Sequence, residues 1–118
     1  MLFRSKAMAD KNITIAQVIL ADCYFDGEGV GKDEREAMKW YRKAADQGLA
    51  VAQVALGSGY LAGKGVERDE KEAVAWFRKA ADQGNVVAQI LLAGCYSEGH
   101  GIDKDEKEAA KWIRKASD

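Results

Sequence analysis

Residues 51–61 read VAQVALGSGYL, and the defining positions of this stretch recur before and after it in the chain. The pair Ala52-Gln53 returns as Ala16-Gln17 and as Ala88-Gln89, at a spacing of 36 residues each time. The aromatic residues keep the same spacing: Tyr24, Tyr60 and Tyr96, then Trp40, Trp76 and Trp112. A fixed period of roughly 20–50 residues is the signature of a solenoid, whose stacked units share one continuous core.

The stretch 51–61 has the pattern of an α-helix, which we name helix A of the repeat. Ala52, Leu56 and Tyr60 stand at helical spacing on one face. The small residues Ala52 and Gly57 leave room for a neighbouring helix to approach closely. Each glycine in mid-helix lowers the intrinsic helix propensity by about 1 kcal/mol, so packing must hold this helix in place.

A turn and the start of a second helix follow. The sequence Gly63-Lys64-Gly65-Val66 predicts a turn with positive φ at one or both glycines. Asp69 is a preferred N-cap, and Glu72 can reach back to the N–H of that cap, as in a capping box. The same pair recurs as Asp33 with Glu36 and as Asp105 with Glu108, so all three repeats share this helix start.

The second helix, helix B, is predicted to run from this cap to Gln83. One apolar stripe lies along it, formed by Ala73, Trp76, Phe77, Ala80 and Ala81, and Gly84 provides a C-terminal stop. Helices A and B, joined by a short turn, make an αα-hairpin, and the next hairpin begins within a few residues. The hairpins must therefore stack, with Trp76 buried between helices of the central one.

These patterns predict an all-α fold, an αα-hairpin solenoid of three 36-residue repeats preceded by an N-terminal cap segment. We expect the repeats at about 15–50, 51–86 and 87–118, and a cap or degenerate helix at 1–14. Residues 2–10 align with the tail of an earlier helix B. Asn12 then stands at the glycine position, where its tolerance of the left-handed conformation predicts a turn.

Composition narrows the classes of partner. The net charge of -1 predicts no bulk attraction to nucleic acid or to a membrane surface. The longest apolar stretch, residues 86–94, is interrupted by Gln89 and is too short to span a bilayer. Residues 1–6 lack the apolar run of a secretory signal, which favours a cytoplasmic protein; an exported protein whose signal peptide has been removed is the alternative.

The two cysteines, Cys23 and Cys95, occupy the same repeat position two units apart. Two repeat steps of one helix diameter each separate them by about 20 Å, whereas a disulfide needs Cα atoms within about 7 Å. We therefore expect no intramolecular disulfide, and a reducing compartment is the plainer interpretation.

With these features in place, the chain resembles the Sel-one-like (Sel1-like) repeat family, relatives of the tetratricopeptide repeat. The first copy shows the family pattern at Ala16, Leu20, Tyr24, Gly27, Gly29, Val30, Asp33, Ala37, Trp40, Tyr41, Lys43, Ala44, Ala45 and Gly48. Two departures stand out. Gly31, Glu67 and Asp103 occupy a position that is often proline in the family, and no repeat carries the cysteine pair of some exported members.

The resemblance implies a right-handed superhelix whose A helices line a concave face, and a role as a non-enzymatic protein–protein interaction scaffold or adaptor. The partner would be a peptide or helix segment of another protein. The positions that would point into the concave face are Val18, Ile19, Asp22, Phe25 and Asp26, then Val54, Ser58 and Leu61 with Ala55 and Ala62, then Ile90, Leu91, Ser97 and Glu98 with Gly94.

Many of these A-helix positions are aliphatic, which allows two interpretations. They form an apolar groove for a partner, or half of them pack against neighbouring A helices. The set is Ile15, Val18, Ile19, Val51, Val54, Val87, Ile90 and Leu91. Two rival functions also stay open: a structural module that associates end to end or as a homodimer, and, less favoured, a small hydrolase.

The sequence gives little support for a phosphate-binding, metal-binding, nucleic-acid-binding or catalytic site. The G-x-G turns are followed by acids such as Asp33, which would repel a phosphate, so we interpret them as turns. His100, the single histidine, lies near Cys95, Asp103 and Asp105, yet one soft ligand does not build a zinc site, and we interpret it as a solvated turn residue. The tryptophans lie on the helix B stripe without a basic groove, which favours core over base stacking. We predict no catalytic, cofactor or metal residues.

Overall fold

The computed structural model describes the backbone of residues 2–27 and 31–118, and the side chains of residues 11–27 and 31–118. Six α-helices follow one another and the described ranges contain no strand, which confirms the predicted all-α repeat fold. The helices are α1 Leu2–Asp26, α2 Glu34–Asp46, α3 Ala50–Ala62, α4 Glu70–Asp82, α5 Val86–Glu98 and α6 Glu106–Ser117. Helices A are thus α1, α3 and α5; helices B are α2, α4 and α6.

Each helix B begins at the predicted aspartate, but only half of the expected capping box forms. The carboxylates of Asp33, Asp69 and Asp105 accept from the N–H three residues later at 3.1, 3.1 and 3.0 Å. The N–H of Asp69 donates instead to the carbonyl of Tyr60 at 2.9 Å, rather than to the Glu72 side chain. This bond ties the start of helix B to the end of helix A, so the cap also closes the hairpin.

The glycines of the turns adopt the predicted positive φ. Gly63 ends α3 at φ 72°, and Gly65 follows at 76°. Gly99 and Gly101 repeat this geometry in the third copy, and Gly84 ends α4 at 90° as predicted. L-residues with side chains rarely adopt such angles, so glycine is required there.

Helices pack on their neighbours in sequence, as expected of a solenoid: α1 on α2, α2 on α3, and so on to α6. The buried side chains fall into two clusters, and α4 contributes to both. Trp76, 5% exposed, packs with α1, α2 and α3, which confirms the predicted burial. Phe77, 0% exposed, packs with α5 and α6. One helix B therefore joins the repeats on either side of it.

Polar side chains also connect successive repeats. Gln53 of α3 donates to the Ala45 carbonyl at the end of α2, at 3.2 Å, and Gln89 of α5 donates to the Ala81 carbonyl at 3.3 Å. Both glutamines are buried. A buried amide that satisfies a helix-end carbonyl fixes the position of one helix on the next, because either group would be costly to leave unpaired.

The expected turn at Asn12 is wrong. Helix α1 runs without interruption from Leu2 to Asp26, and no non-glycine residue of the described chain has positive φ. Asparagine tolerates the left-handed conformation but does not impose it. Residues 2–26 contain neither glycine nor proline, so nothing in this stretch breaks the helix.

Candidate functional site

The A helices carry exposed residues at equivalent positions of all three repeats. In α1 these residues are Ile15, Ile19, Asp22 and Asp26. The equivalent exposed positions of α3 are Val51, Ser58 and Ala62, and those of α5 are Val87, Gly94 and Glu98. We call this surface the A-helix stripe. It is aliphatic at Ile15 and Ile19 of α1, Val51 of α3 and Val87 of α5, and acidic at the C-terminal end of α1 and α5.

The structure leaves most of the predicted aliphatic residues accessible. Five of the eight are exposed: Ile15, Ile19, Val51, Val87 and Ile90. The other three, Val18, Val54 and Leu91, are half-buried and pack against the core clusters. The five exposed residues are thus available to a partner, whereas the three half-buried residues pack against neighbouring helices.

The remaining predicted site residues are also accessible to some degree. Asp22, Asp26, Ser58 and Glu98 are exposed. Phe25, Leu61 and Ser97 are half-buried. None of the twelve predicted positions is fully buried, so all of them could contact a partner.

A cleft of about 310 Å³ opens between the first two repeats. Phe25 of α1 and Tyr41 of α2 line it on one side, and Lys64 lies at its edge. The other side is α3, which contributes only small residues, Ala55, Ser58, Gly59 and Ala62. The structure thus brings the predicted residues Phe25 and Ser58 together with three that the sequence reasoning missed: Tyr41, Gly59 and Lys64.

Tyr41 is placed in this cleft by a hydrogen bond across helices. Its hydroxyl donates to the carboxylate of Asp22 on α1. Burial, the Asp22 hydrogen bond and the negative charges of Asp22 and Asp26 raise the pKa of Tyr41 well above its ordinary value. The phenol is therefore protonated near neutral pH and donates its proton in the hydrogen bond to Asp22.

The equivalent junction between the second and third repeats has larger side chains. Leu91 stands where Ala55 stands, and Cys95 where Gly59 stands. Gly59 leaves space that the Met38 side chain fills, since a β-carbon at position 59 would lie 2.1 Å from the Met38 methyl carbon. Cys95 pairs instead with the smaller Val74 at the equivalent position, and both are buried in one cluster. The wide cleft therefore depends on the small residues of α3.

His100 lies in the turn as predicted, with its side chain 43% exposed, and it makes two contacts that the sequence did not indicate. Its Nδ1 lies 3.0 Å from the Glu70 carboxylate of α4, and its Nε2 lies 2.8 Å from that of Glu98. The ring thus connects the turn of the third repeat to the start of helix B in the second. Both ring nitrogens are engaged in these contacts, which assigns His100 a structural role.

Among the described residues, no group of three or more His, Cys, Asp or Glu side chains has an arrangement that could hold a metal ion. Burial, with the charges of Glu70 and Glu98, raises the pKa of the Cys95 thiol, which disfavours the reactive thiolate. Within the described residues, no helix combines the length and apolarity needed to cross a bilayer.

Comparison with known proteins agrees with this architecture. The sequence pattern of the Sel1 repeat matches residues 14–49, 50–85 and 86–118. A search among curated proteins gave no match.

Solved structures similar to the chain include a protective antigen of uropathogenic Escherichia coli displaying an SLR fold, at 42% identity and a TM-score of 0.88, covering 92% of this chain and 23% of that one. A Sel1 repeat protein from Oxalobacter formigenes follows at 41% identity and a TM-score of 0.85, covering 88% and 43%. The chain thus spans less than half the length of either relative.

Cysteine rich protein B of Helicobacter pylori shares the fold at 20% identity, with a TM-score of 0.74 over 93% of this chain and 85% of that one. Proteins built from these repeats are generally non-enzymatic and commonly mediate protein interactions. The repeat pattern matches all three hairpins, and two solved relatives share more than 40% of the aligned residues. The chain belongs to the Sel1 repeat family.

Proposed function

We propose that this protein is a non-enzymatic scaffold whose A-helix stripe and adjoining cleft bind a peptide or helix segment of another protein. The observation that carries the proposal is the exposure of aliphatic side chains at equivalent positions of all three A helices, Ile15, Val51 and Val87. Apolar groups at repeating positions form a row across the stack, and exposed apolar patches on folded proteins commonly serve as binding surfaces.

The cleft between the first two repeats supplies an anchor point for such a segment. Phe25 and the ring of Tyr41 give it an apolar lining, while the small residues of α3 leave room for an inserted side chain. Its volume of about 310 Å³ is large enough for one large apolar or aromatic side chain of the partner.

The exposed acidic side chains of the A helices indicate the chemistry of the partner. Asp22 and Asp26 are exposed on α1, and Glu98 is exposed at the same end of α5. A segment with an aromatic or aliphatic anchor and flanking lysine or arginine would match both the apolar row and the acidic end. Complementary charge of this kind raises the association rate and fixes the register of the bound segment.

The test begins with capture of partners from the cells of origin on immobilised wild-type protein. A parallel column carries a stripe variant, Ile15→Ala with Val51→Ala and Val87→Ala, three exposed residues at equivalent positions of the A helices. A second carries a control variant, Arg35→Ala with Lys39→Ala and Lys71→Ala, which alters exposed residues of the B helices. A captured protein that the control retains and the stripe variant loses is purified and titrated calorimetrically.

We expect the stripe variant to weaken the binding of that protein by at least about tenfold, as the loss of anchoring side chains does. Its melting temperature should stay near that of the wild type. Equal binding to both variants would place the interface elsewhere, and the B-helix face would be examined next. A large fall in the melting temperature would show that these residues belong to the core instead.

A further inference from the structure

In the first two hairpins, the following helix A packs on one surface of helix B, as α3 does on α2 and α5 does on α4. The corresponding surface of the last hairpin is exposed. A shallow groove of about 450 Å³ lies along α5 and α6, lined by residues that include Ile90, Ser97, Ala110 and Ile113. Ile113 is 45% exposed there, and Ile90 is 50% exposed. Their equivalents in the second repeat, Phe77 and Val54, pack against the following helix A.

The internal repeats show which element fits this groove. Helix α3 covers the first hairpin and α5 covers the second, in each case through Ala, Leu and Tyr at fixed positions. Ala52 and Leu56 of α3 are fully buried by this contact, as are Ala88 and Leu92 of α5. The occupant of the third groove should be a helix with the same three residues at the same spacing.

Helix α1 has that pattern and has its corresponding face uncovered. It carries Ala16, Leu20 and Tyr24 at the positions of Ala52, Leu56 and Tyr60. Ala16 is exposed and Leu20 is only half-buried, in contrast to their buried equivalents. We propose that α1 of a second copy of this chain docks into the α5–α6 groove, so that copies stack head to tail and continue the solenoid across the junction. The groove borders the A-helix stripe at Gly94, but the docking of a second copy does not depend on the function proposed for the stripe.

Polar groups on the two surfaces are complementary as well. Arg42 donates to the Tyr60 hydroxyl of the next repeat, and Arg78 donates to the Tyr96 hydroxyl in the same way. Arg114 stands at the third arginine position and is exposed. The repeat spacing assigns it to the Tyr24 hydroxyl of the docked copy, a group without a hydrogen bond among the described side chains of its own chain.

A second hydrogen bond follows from the same spacing. Gln53 and Gln89 each donate to the carbonyl at the end of the preceding helix B, on Ala45 and Ala81. The next equivalents are Gln17 on α1 and the carbonyl of Ser117 on α6. In the internal junctions, Gly59 contacts Met38, and Cys95 shares a cluster with Val74 at the equivalent positions. At the junction between copies, Cys23 of the docked copy would face Ala110 in the same way. Side-chain size at these pairs is compatible with close helix packing.

Such a contact is heterologous, because it joins two different surfaces, and it leaves both outer ends free to add further copies. We expect the mass of the purified 118-residue chain to rise continuously with concentration. Sedimentation velocity between about 10 μM and about 1 mM covers the range in which weak interfaces dissociate.

Two blocking substitutions at exposed residues test the geometry. Ile113→Glu places a charge in the groove, and Ala16→Glu places one on the docking face of α1. Each variant alone should be monomeric. An equimolar mixture should form a heterodimer that does not grow further, because one partner retains a free α1 face and the other a free groove. The matched controls, Lys111→Glu on α6 and Ile15→Glu on the A-helix stripe, should associate like the wild type, because the equivalents of Ile15, Val51 and Val87, stay exposed beside the internal junctions. Circular dichroism verifies that all four variants are folded.

Three results would overturn the proposal: a wild-type chain that is strictly monomeric over the whole range, association that survives Ile113→Glu, or a mixture of the two blocked variants that stays monomeric. If association occurs as expected, Arg114→Ala and Tyr24→Phe should each weaken it by about tenfold, as loss of a hydrogen bond to a charged group does. The double variant should be no weaker than either single one. Independent, additive effects would contradict the assigned Arg114–Tyr24 pair.

Discussion

The backbone of Gly65 lies directly against the backbone of Glu34, so that a β-carbon at position 65 would stand 2.2 Å from the Glu34 carbonyl oxygen. The same relationship joins Gly101 to Glu70, at 2.3 Å. The second glycine of each of these turns therefore sets how closely one repeat approaches the start of helix B in the previous repeat. Its role is separate from that of the first glycine, which ends helix A.

Gly65→Ala should destabilise the protein more than Gly84→Ala does. Both glycines have positive φ, but a β-carbon at position 84 would meet nothing within 4 Å. Strain at positive φ costs about 1–3 kcal/mol for either substitution, and only Gly65→Ala adds the clash with the Glu34 backbone. Urea denaturation of the two variants isolates the clash. Equal free energies of unfolding would show that the turn can relax away from α2.

Trp76→Ala should lower the free energy of unfolding by about 3–5 kcal/mol, because it removes a large side chain from a closely packed cluster. Trp76 joins α4 to helices of the first repeat, and the Lys79 ammonium lies 4.4 Å from the centroid of its ring. Val51→Ala, at an exposed position of α3, is the control and should change stability by less than about 0.5 kcal/mol. A loss below about 1 kcal/mol for Trp76→Ala would contradict its packing role.

Tyr41 should make the protein sensitive to alkali. Its pKa is raised in the folded state, so the unfolded chain loses this proton first as pH increases. The stabilisation is fully present below about pH 10 and declines above it, by up to about 1.4 kcal/mol per pH unit, until the folded state also ionises. In Tyr41→Phe this part of the decline should vanish. Urea unfolding of both proteins at pH 8 and near pH 11 measures the difference, and parallel losses of stability would exclude Tyr41 as the cause.

Cys23 and Cys95 should differ in their reactivity toward iodoacetamide. Cys95 is buried and has a raised pKa, whereas Cys23 is half-buried on α1. Alkylation of Cys95 then requires opening of the α5 contact and should be at least about a hundredfold slower in the folded protein than in urea. Peptide mass spectrometry after a short pulse follows both sites, with the urea-unfolded chain as the control. Equal labelling of both cysteines in the folded protein would indicate that α5 opens readily.

The candidate site was only partly predictable. The partner-facing positions of the A helices were predicted from the resemblance to Sel1-like repeats, and all twelve predicted residues are exposed or half-buried. The cleft beside them was not predicted, because the sequence placed Tyr41 in the helix B pattern and Asp22 on the A-helix face, with no sign that the two side chains meet. Their hydrogen bond joins residues 19 positions apart on two helices, and only the crossing of α1 and α2 brings them together.

The sequence by itself determined the number of hairpins, the caps of the B helices and the glycine turns, because these depend on local backbone chemistry that each repeat carries in full. The tertiary structure decided what local patterns leave open. The N–H of Asp69 donates to the Tyr60 carbonyl rather than to the Glu72 side chain. Helix α1 continues through Asn12 instead of ending there. Phe77 and Ile113 share one repeat position, yet Phe77 is buried and Ile113 is 45% exposed. The physical reason is that burial depends on whether a further helix packs on that face, which no pattern within a single repeat contains.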